Sequence, residues 1–150
     1  MCEEALMNLL RERMGDAFDQ YLVPPPVFKT MDAAFVDFDA QEGWLITKFP
    51  IPTAFLNPYG TMQGGMLAAA VDNTFGPLSL LVSAPSVTRK FEMKFSHPAM
   101  PEMMSFFVHA WFMGREDRKL SFRAEVRSPE GLLLARANAT HWILSFEGSP

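Results

Sequence analysis

Hydrophobic and polar positions follow two different periods along this chain. Between residues 4 and 22, Leu6, Leu9, Leu10, Ala17, Phe18 and Tyr21 recur at helical spacing with Glu12, Arg13, Asp16 and Asp19 between them, which predicts an amphipathic helix. Pro24-Pro25-Pro26 ends it, because proline lacks the amide and clashes with the preceding turn. Packing on its own domain is the expected role of this helix, a lid or partner helix the alternative. Residues 33–39 and 44–49 read as strands joined by the polar turn Asp39–Gly43, and the prolines of 50–63 mark an ordered loop. From Gly64 onward, Met66, Leu67, Ala70, Val71 and Thr74 form a wide apolar face with Asp72 as the single charge, so this second helix is expected to be buried. Gly76-Pro77 kinks or ends it unless the apolar run Leu78–Val82 carries it further. Residues 87–96, 104–113, 119–127 and 132–144 each suit a strand, separated by turn residues. In the first of these, Val87, Phe91, Met93 and Phe95 share one parity, and Thr88, Lys90, Glu92, Lys94 and Ser96 share the other. The order predicts an α+β fold in which one buried helix lies against an antiparallel sheet.

Composition narrows the class. A chain of 150 residues fits one domain, 1–150, with residues 1–23 as an appended N-terminal helix. Hydrophobic residues at 49% and charged residues at 20% exclude a disordered or collagenous chain. No stretch approaches ~18 uncharged apolar residues, so no membrane partner is expected. The acidic start Met1-Cys2-Glu3-Glu4 is unlike a secretory leader, and a cytoplasmic location is expected. A net charge of -4 argues against nucleic-acid binding, which needs a basic face. The lone Cys2 supports neither an internal disulfide nor a thiolate cluster.

The chemistry concentrates between Asn57 and Asn73. Gly64 and Gly65 open the buried helix, where amides lack intrahelical partners and the dipole favours negative charge. Glycine allows close approach to that backbone, which makes an oxyanion hole for a polarised carbonyl; a Gly-Gly needed only for a turn or close packing is the other reading. Asp72 is costly to bury in an apolar helix unless paired or functional, and partial burial would suit it to general-base work; a carboxylate at a solvent-facing edge, or one fixed by Asn73 or Thr74, is the alternative. Eight positions on one helix separate Gly64 from Asp72 by about 12 Å at ~1.5 Å per residue. Both cannot reach one acyl carbon, so joint action requires Asp72 from a second subunit, with two helices antiparallel across a two-fold axis.

The run Asn57-x-x-Gly60-x-x-Gln63-Gly64-Gly65, followed by an apolar helix with Asp72 seven residues after the second glycine, resembles the hotdog-fold thioesterases, and most nearly the phenylacetate-pathway (PaaI-like) acyl-CoA thioesterases. The similarity takes in Ser86-Val87-Thr88, the corner Phe95-Ser96-His97-Pro98-Ala99, Gly114-Arg115 and Gly131, and covers roughly residues 30–146. It implies a hotdog fold, a long helix wrapped by a curved antiparallel sheet. It implies a homodimer, often paired into a homotetramer as a dimer of dimers, that hydrolyses acyl-CoA. By position, the Gly64 amide would polarise the thioester carbonyl and Asp72 of the facing subunit would activate water or attack directly. Asn57 would orient water or substrate, and Thr88 would position the water. Gln63 and Gly65 fall at the carbonyl end of the site. No metal or organic cofactor is implied, coenzyme A being part of the substrate. Gln63 departs from the family's histidine; its amide still donates a hydrogen bond but does not titrate near neutrality.

Among other residues, His97 and Arg115 are candidates for coenzyme A contact, set against the more ordinary readings of a local bond at the strand corner for His97 and a solvated charge for Arg115. His109 and His141 read as sheet residues, and no histidine has a partner at metal-ligand spacing. Cys2 has no evident activator. Two rival functions stand beside hydrolysis: an acyl-CoA-binding sensor or carrier that does not cleave, and a hotdog dehydratase, which the absence of a histidine before the helix disfavours.

Overall fold

The computed structural model describes residues 2–144; residues 145 and 146 of the family-like stretch lie outside it. The apolar run that opens at Gly64 forms a 19-residue helix, α3 (Gly64–Val82). It is preceded by α1 (Cys2–Met14), α2 (Pro26–Thr30), β1 (Ala34–Asp39) and β2 (Trp44–Pro50), and followed by β3 (Ser86–Phe95), β4 (Ser105–Glu116), β5 (Lys119–Arg127) and β6 (Leu133–Ile143). The six strands make one antiparallel sheet in the order β1-β2-β4-β5-β6-β3, so β3, the strand after the helix, crosses to the far edge and, among the described residues, pairs only with β6. This is the helix-in-sheet architecture of the hotdog fold, with α1 added on β1.

The sheet holds α3 because both surfaces are shaped for it. Leu67, Ala70, Val71, Phe75, Leu78 and Leu81 point inward with 2% exposure or less, against an inner sheet face lined by Ala110, Ala124, Ala135, Ala137 and Ala139. On β4 and β5 these alanines share the face with Phe106, Val108, Leu120, Phe122 and Val126, which complete a close-packed core. By length and composition alone α3 is long and apolar enough to cross a membrane, although Asp72 interrupts its uncharged run. Its burial under the sheet accounts for the same apolar character as that of a core helix. Pro77 neither ends nor divides it: Leu78 and Leu81 hold the last turns in the core, and Ser79 Oγ donates to the Gly76 carbonyl at 2.6 Å. Two core threonines tie helix to sheet. Thr74 donates to the Ala70 carbonyl at 2.9 Å, so the Thr47 hydroxyl donates to Thr74 across 2.7 Å.

Three expectations need correction. The N-terminal helix is α only to Met14; Gly15, at a φ of +56°, turns the chain into a 3-10 segment to Gln20. It packs on its own domain through Leu6, Met7 and Leu10. The proline run also starts a helix, α2, since proline is well placed in a first turn. The third correction concerns β3. A register shift between Thr88 and Lys90 leaves Arg89 as a bulge, so Thr88 opposes His141 while Phe91 opposes Ala139. Thr88 therefore shares the inner face with Phe91, and Val87 lies on the outer face, the reverse of the simple alternation.

Candidate active site

The bulge brings a line of polar side chains onto the inner face beside α3. Thr88 Oγ1 donates to Asp72 Oδ1 at 2.7 Å. Thr88 Oγ1 also lies 3.2 Å from His141 Nε2, and Ser86 Oγ lies 3.1 Å from His141 Nδ1. Ser86 and Thr88, two apart on β3, thus bracket one imidazole from β6, with Asp72 of the helix at the end of the line. Asp72 itself is exposed, at an edge of α3 that the sheet leaves open. Its neighbours Asn73 and Thr74 turn into the core, Asn73 Nδ2 to the Met31 sulfur at 3.2 Å, and neither fixes the carboxylate.

His141 is 2% exposed and flanked by the rings of Phe75 and Phe122, at 6.2 and 4.8 Å between centroids. Burial pushes its pKa below the ordinary imidazole value, opposed by the nearby Asp72 carboxylate. The sequence pattern places it among ordinary sheet residues. The only signal in the sequence is a histidine in the inward parity of an alanine-lined strand, where a polar ring needs partners.

The helix N-terminus forms a second cluster. Gln63 precedes the first turn, and its carbonyl accepts from Met66 and Leu67 at 2.9 and 3.3 Å, but no side chain caps the end. The Phe95 ring lies against Gly64, where a Cβ would sit 3.2 Å from it. A Cβ on Gly65 would meet Gln63 Oε1 at 3.2 Å. Asn57 organises the preceding loop: its Oδ1 accepts from the amides of Tyr59 and Thr61, its Nδ2 donates to Thr61 Oγ1 at 2.8 Å, and Gly60 takes a φ of +80° to complete the turn. All of these bonds stay within the loop.

Within the chain the two clusters stay apart, as the helix spacing requires. His97 sits at the strand corner, where Nδ1 donates to the Leu133 carbonyl at 3.0 Å. Arg115 Nε donates to the Asp117 carbonyl at 2.7 Å in the β4–β5 turn. Arg115 opposes Leu120, which opposes His141, which opposes Thr88, so it stands about 14 Å across the sheet from Thr88 at ~4.8 Å per strand. The Cys2 thiol is pushed up chiefly by burial, unlike an activated nucleophile. Among the described residues no group of three metal-ligating side chains gathers.

An apolar groove of about 250 Å³ runs from Gly76 and Ser86 past Pro77 and Leu80 to Leu22 and Leu144. Gly76 is one helical turn beyond Asp72, so the groove continues the face that carries the carboxylate. A larger hollow of about 430 Å³ between Met100–Met103 and the 128–132 turn touches none of these residues.

No family model matches the sequence, and no curated protein matches it. Solved structures match it along most of its length. A Ralstonia eutropha JMP134 protein, described as a candidate thioesterase related to phenylacetic acid degradation, is 28% identical, with a TM-score of 0.75 over 90% of this chain and 98% of that one. The Escherichia coli PaaI protein of the phenylacetic acid degradation operon is 13% identical, with a TM-score of 0.75 over 93% and 96%. A Streptococcus mutans UA159 protein solved with acetyl-CoA is 16% identical, with a TM-score of 0.69 over 75% and 89%. The fold is that of the hotdog proteins. Within them, the chain is similar to structures of the PaaI-like thioesterase kind, at 28% identity for the Ralstonia eutropha protein.

The depressed His141 pKa has a consequence for stability. Between its folded value and the ~6.5 of a free imidazole, the unfolded chain binds a proton that the folded chain does not, so stability falls as pH is lowered through that window. His109, also lowered chiefly by burial, adds to the slope. The melting temperature of the native protein is expected to drop between about pH 7.5 and 5.5, and more steeply than that of His141→Gln. Parallel curves would show that His141 titrates alike in both states.

Proposed function

We propose that this protein is an acyl-CoA thioesterase whose sites are shared between two protomers. The observation that carries this reading is the Thr88–Asp72 hydrogen bond. It fixes Oδ1 of an exposed carboxylate and leaves Oδ2 to accept a proton from water. Water adds to the thioester carbonyl, its proton passes to Asp72, and the oxyanion rests on the amide of Gly64 of the partner subunit. Collapse of the tetrahedral intermediate breaks the C–S bond, and the proton held by Asp72 passes to the departing sulfur, so the free acid and the coenzyme A thiol leave with the carboxylate restored. A direct attack by Asp72 would use the same residues through a mixed anhydride that water then opens. Gly65 and Gln63 frame the carbonyl end. Release of the Asn57 Nδ2 bond to Thr61 would let that amide meet the substrate. The Streptococcus mutans neighbour's acetyl-CoA supports a coenzyme A ligand, for which His97 and Arg115 are the proposed outer contacts. The chemistry needs no metal or organic cofactor.

The shared site follows from what one protomer leaves uncovered. Strand β3 is a ten-residue edge with no neighbour on its outer side among the described residues. Beside it, Gly65, Ala68, Ala69, Asp72 and Gly76 make an incompletely covered stripe on α3 that lets a second helix approach closely. Pairing β3 with its copy about a two-fold axis would lay the two α3 helices side by side, with Asp72 of each toward Gly64 of the other. A dimer of such dimers is the larger assembly implied by the resemblance. The acyl group is assigned to the apolar groove beyond Gly76.

A binding-only protein is the second reading, resting on Gln63 where the family has histidine. Asp72→Asn is expected to keep the fold and acyl-CoA binding by calorimetry while thiol release falls by about two orders of magnitude or more. Undiminished release would eliminate the base, and calorimetric binding without release by the native protein would favour the sensor or carrier. Sedimentation equilibrium should give two or four times the 16.9 kDa chain mass at assay concentrations; an active monomer would remove the shared site. Leu80→Trp, which fills the groove, should lower kcat/KM for long or aromatic acyl-CoAs about tenfold more than for acetyl-CoA, and an equal loss on all of them would place the acyl group elsewhere.

A further inference from the structure

The proposed hydrolysis uses Asp72 and Thr88 and leaves a buried imidazole unexplained. The hydrogen-bond directions around it are determined. The Thr88 hydroxyl has one proton, and its 2.7 Å contact with a carboxylate oxygen requires that proton to point at Asp72. Thr88 Oγ1 then meets His141 Nε2, 3.2 Å away, only as an acceptor, so Nε2 carries the ring proton. With the ring neutral, Nδ1 is an acceptor and takes the Ser86 hydroxyl proton across 3.1 Å. The chain runs one way: Ser86 O–H to Nδ1, Nε2–H to Thr88, Thr88 O–H to Asp72. The opposite tautomer would force Thr88 to donate to Nε2 and leave two oxygen lone pairs facing each other at the Asp72 end.

We propose that His141 is a positioning residue that, through its Nε2–H, commits the Thr88 hydroxyl proton to Asp72 and so aims the carboxylate at the water. This rests on the thioesterase reading for the role of Asp72, but the chain of bonds does not. The imidazole is fixed in place from three sides, since Phe75 and Phe122 flank it and Ser86 sets which nitrogen is protonated. A histidine whose only duty was to fill space at that position would need no second hydroxyl two residues along the same strand. The Arg89 bulge is the device that makes the arrangement possible, because it turns Thr88 inward while Ser86 stays inward too.

The tautomer is read first, without substrate, from long-range proton–nitrogen NMR of 15N-histidine-labelled protein at neutral pH. The expected spectrum has a protonated Nε2 and a bare Nδ1 at His141; a protonated Nδ1 or a charged ring overturns the chain of bonds. Kinetics on acyl-CoA then test the role. His141→Leu should lower kcat about tenfold or more with KM little changed. His141→Gln, whose amide can donate from near the Nε2 position, should recover much of that loss. In a Thr88→Val background, adding His141→Leu should change kcat less than about twofold, because the histidine acts through the missing hydroxyl. Full additivity in that cycle, or kcat unchanged in His141→Leu, overturns the positioning role. A collapse of folding in the leucine variant, seen by circular dichroism, leaves the glutamine variant and its cycle with Thr88→Val to decide. If the native protein cleaves no thioester while the spectrum shows the Nε2 proton, the hydrolase reading fails and the bonded chain stands.

Discussion

A hydrogen bond of 2.7 Å between Thr88 and Asp72 joins the central helix to the edge strand. A carboxylate on the open side of an apolar helix would otherwise be free to rotate in solvent, with no preferred direction for either oxygen. Thr88 gives it one. The bond in turn needs β3 to present a hydroxyl inward at that height, which ordinary alternation does not allow and the bulge at Arg89 does. The rest of the domain serves to hold that strand and that helix at that separation.

The core explains how the separation is kept. Buried side chains of α3 pack against the inner face of the sheet, and the bond between Thr47 and Thr74 ties the helix to β2. Phe75 sits on the helix one turn from Val71 and touches both Phe122 and His141, so the same packing that buries the helix also sets the imidazole. Stability and polar architecture thus share residues. Leu6, Met7 and Leu10 of α1 extend the same core beside β1, and the loop organised by Asn57 leads into the helix N-terminus.

A single protomer makes half of the proposed chemistry. It brings Asp72, Thr88, His141 and Ser86 together at one point of α3 and presents uncapped amides at Gly64 and Gly65 at another. The distance between them is set by helix geometry and no relaxation of one chain can close it. The open edge of β3 and the small-residue face of α3 are what a second copy would cover, and the same operation would complete two equivalent sites. Charge complementarity is not required for this; close approach of backbones is.

Much of this was legible in the residues. The buried helix from Gly64, the strands on either side of it, the glycine pair and the isolated Asp72 all follow from period and composition, because burial on one face writes itself into local spacing. The end of α1 at Gly15 and the short helix at Pro26 were not, since each depends on a single backbone angle or first-turn preference rather than on a repeating pattern. The inward turn of Thr88 and the partners of His141 were decided by tertiary structure. A bulge moves a side chain from one face to the other without altering composition, and a histidine's partners 53 and 55 residues away in sequence are chosen by strand pairing that no local period records.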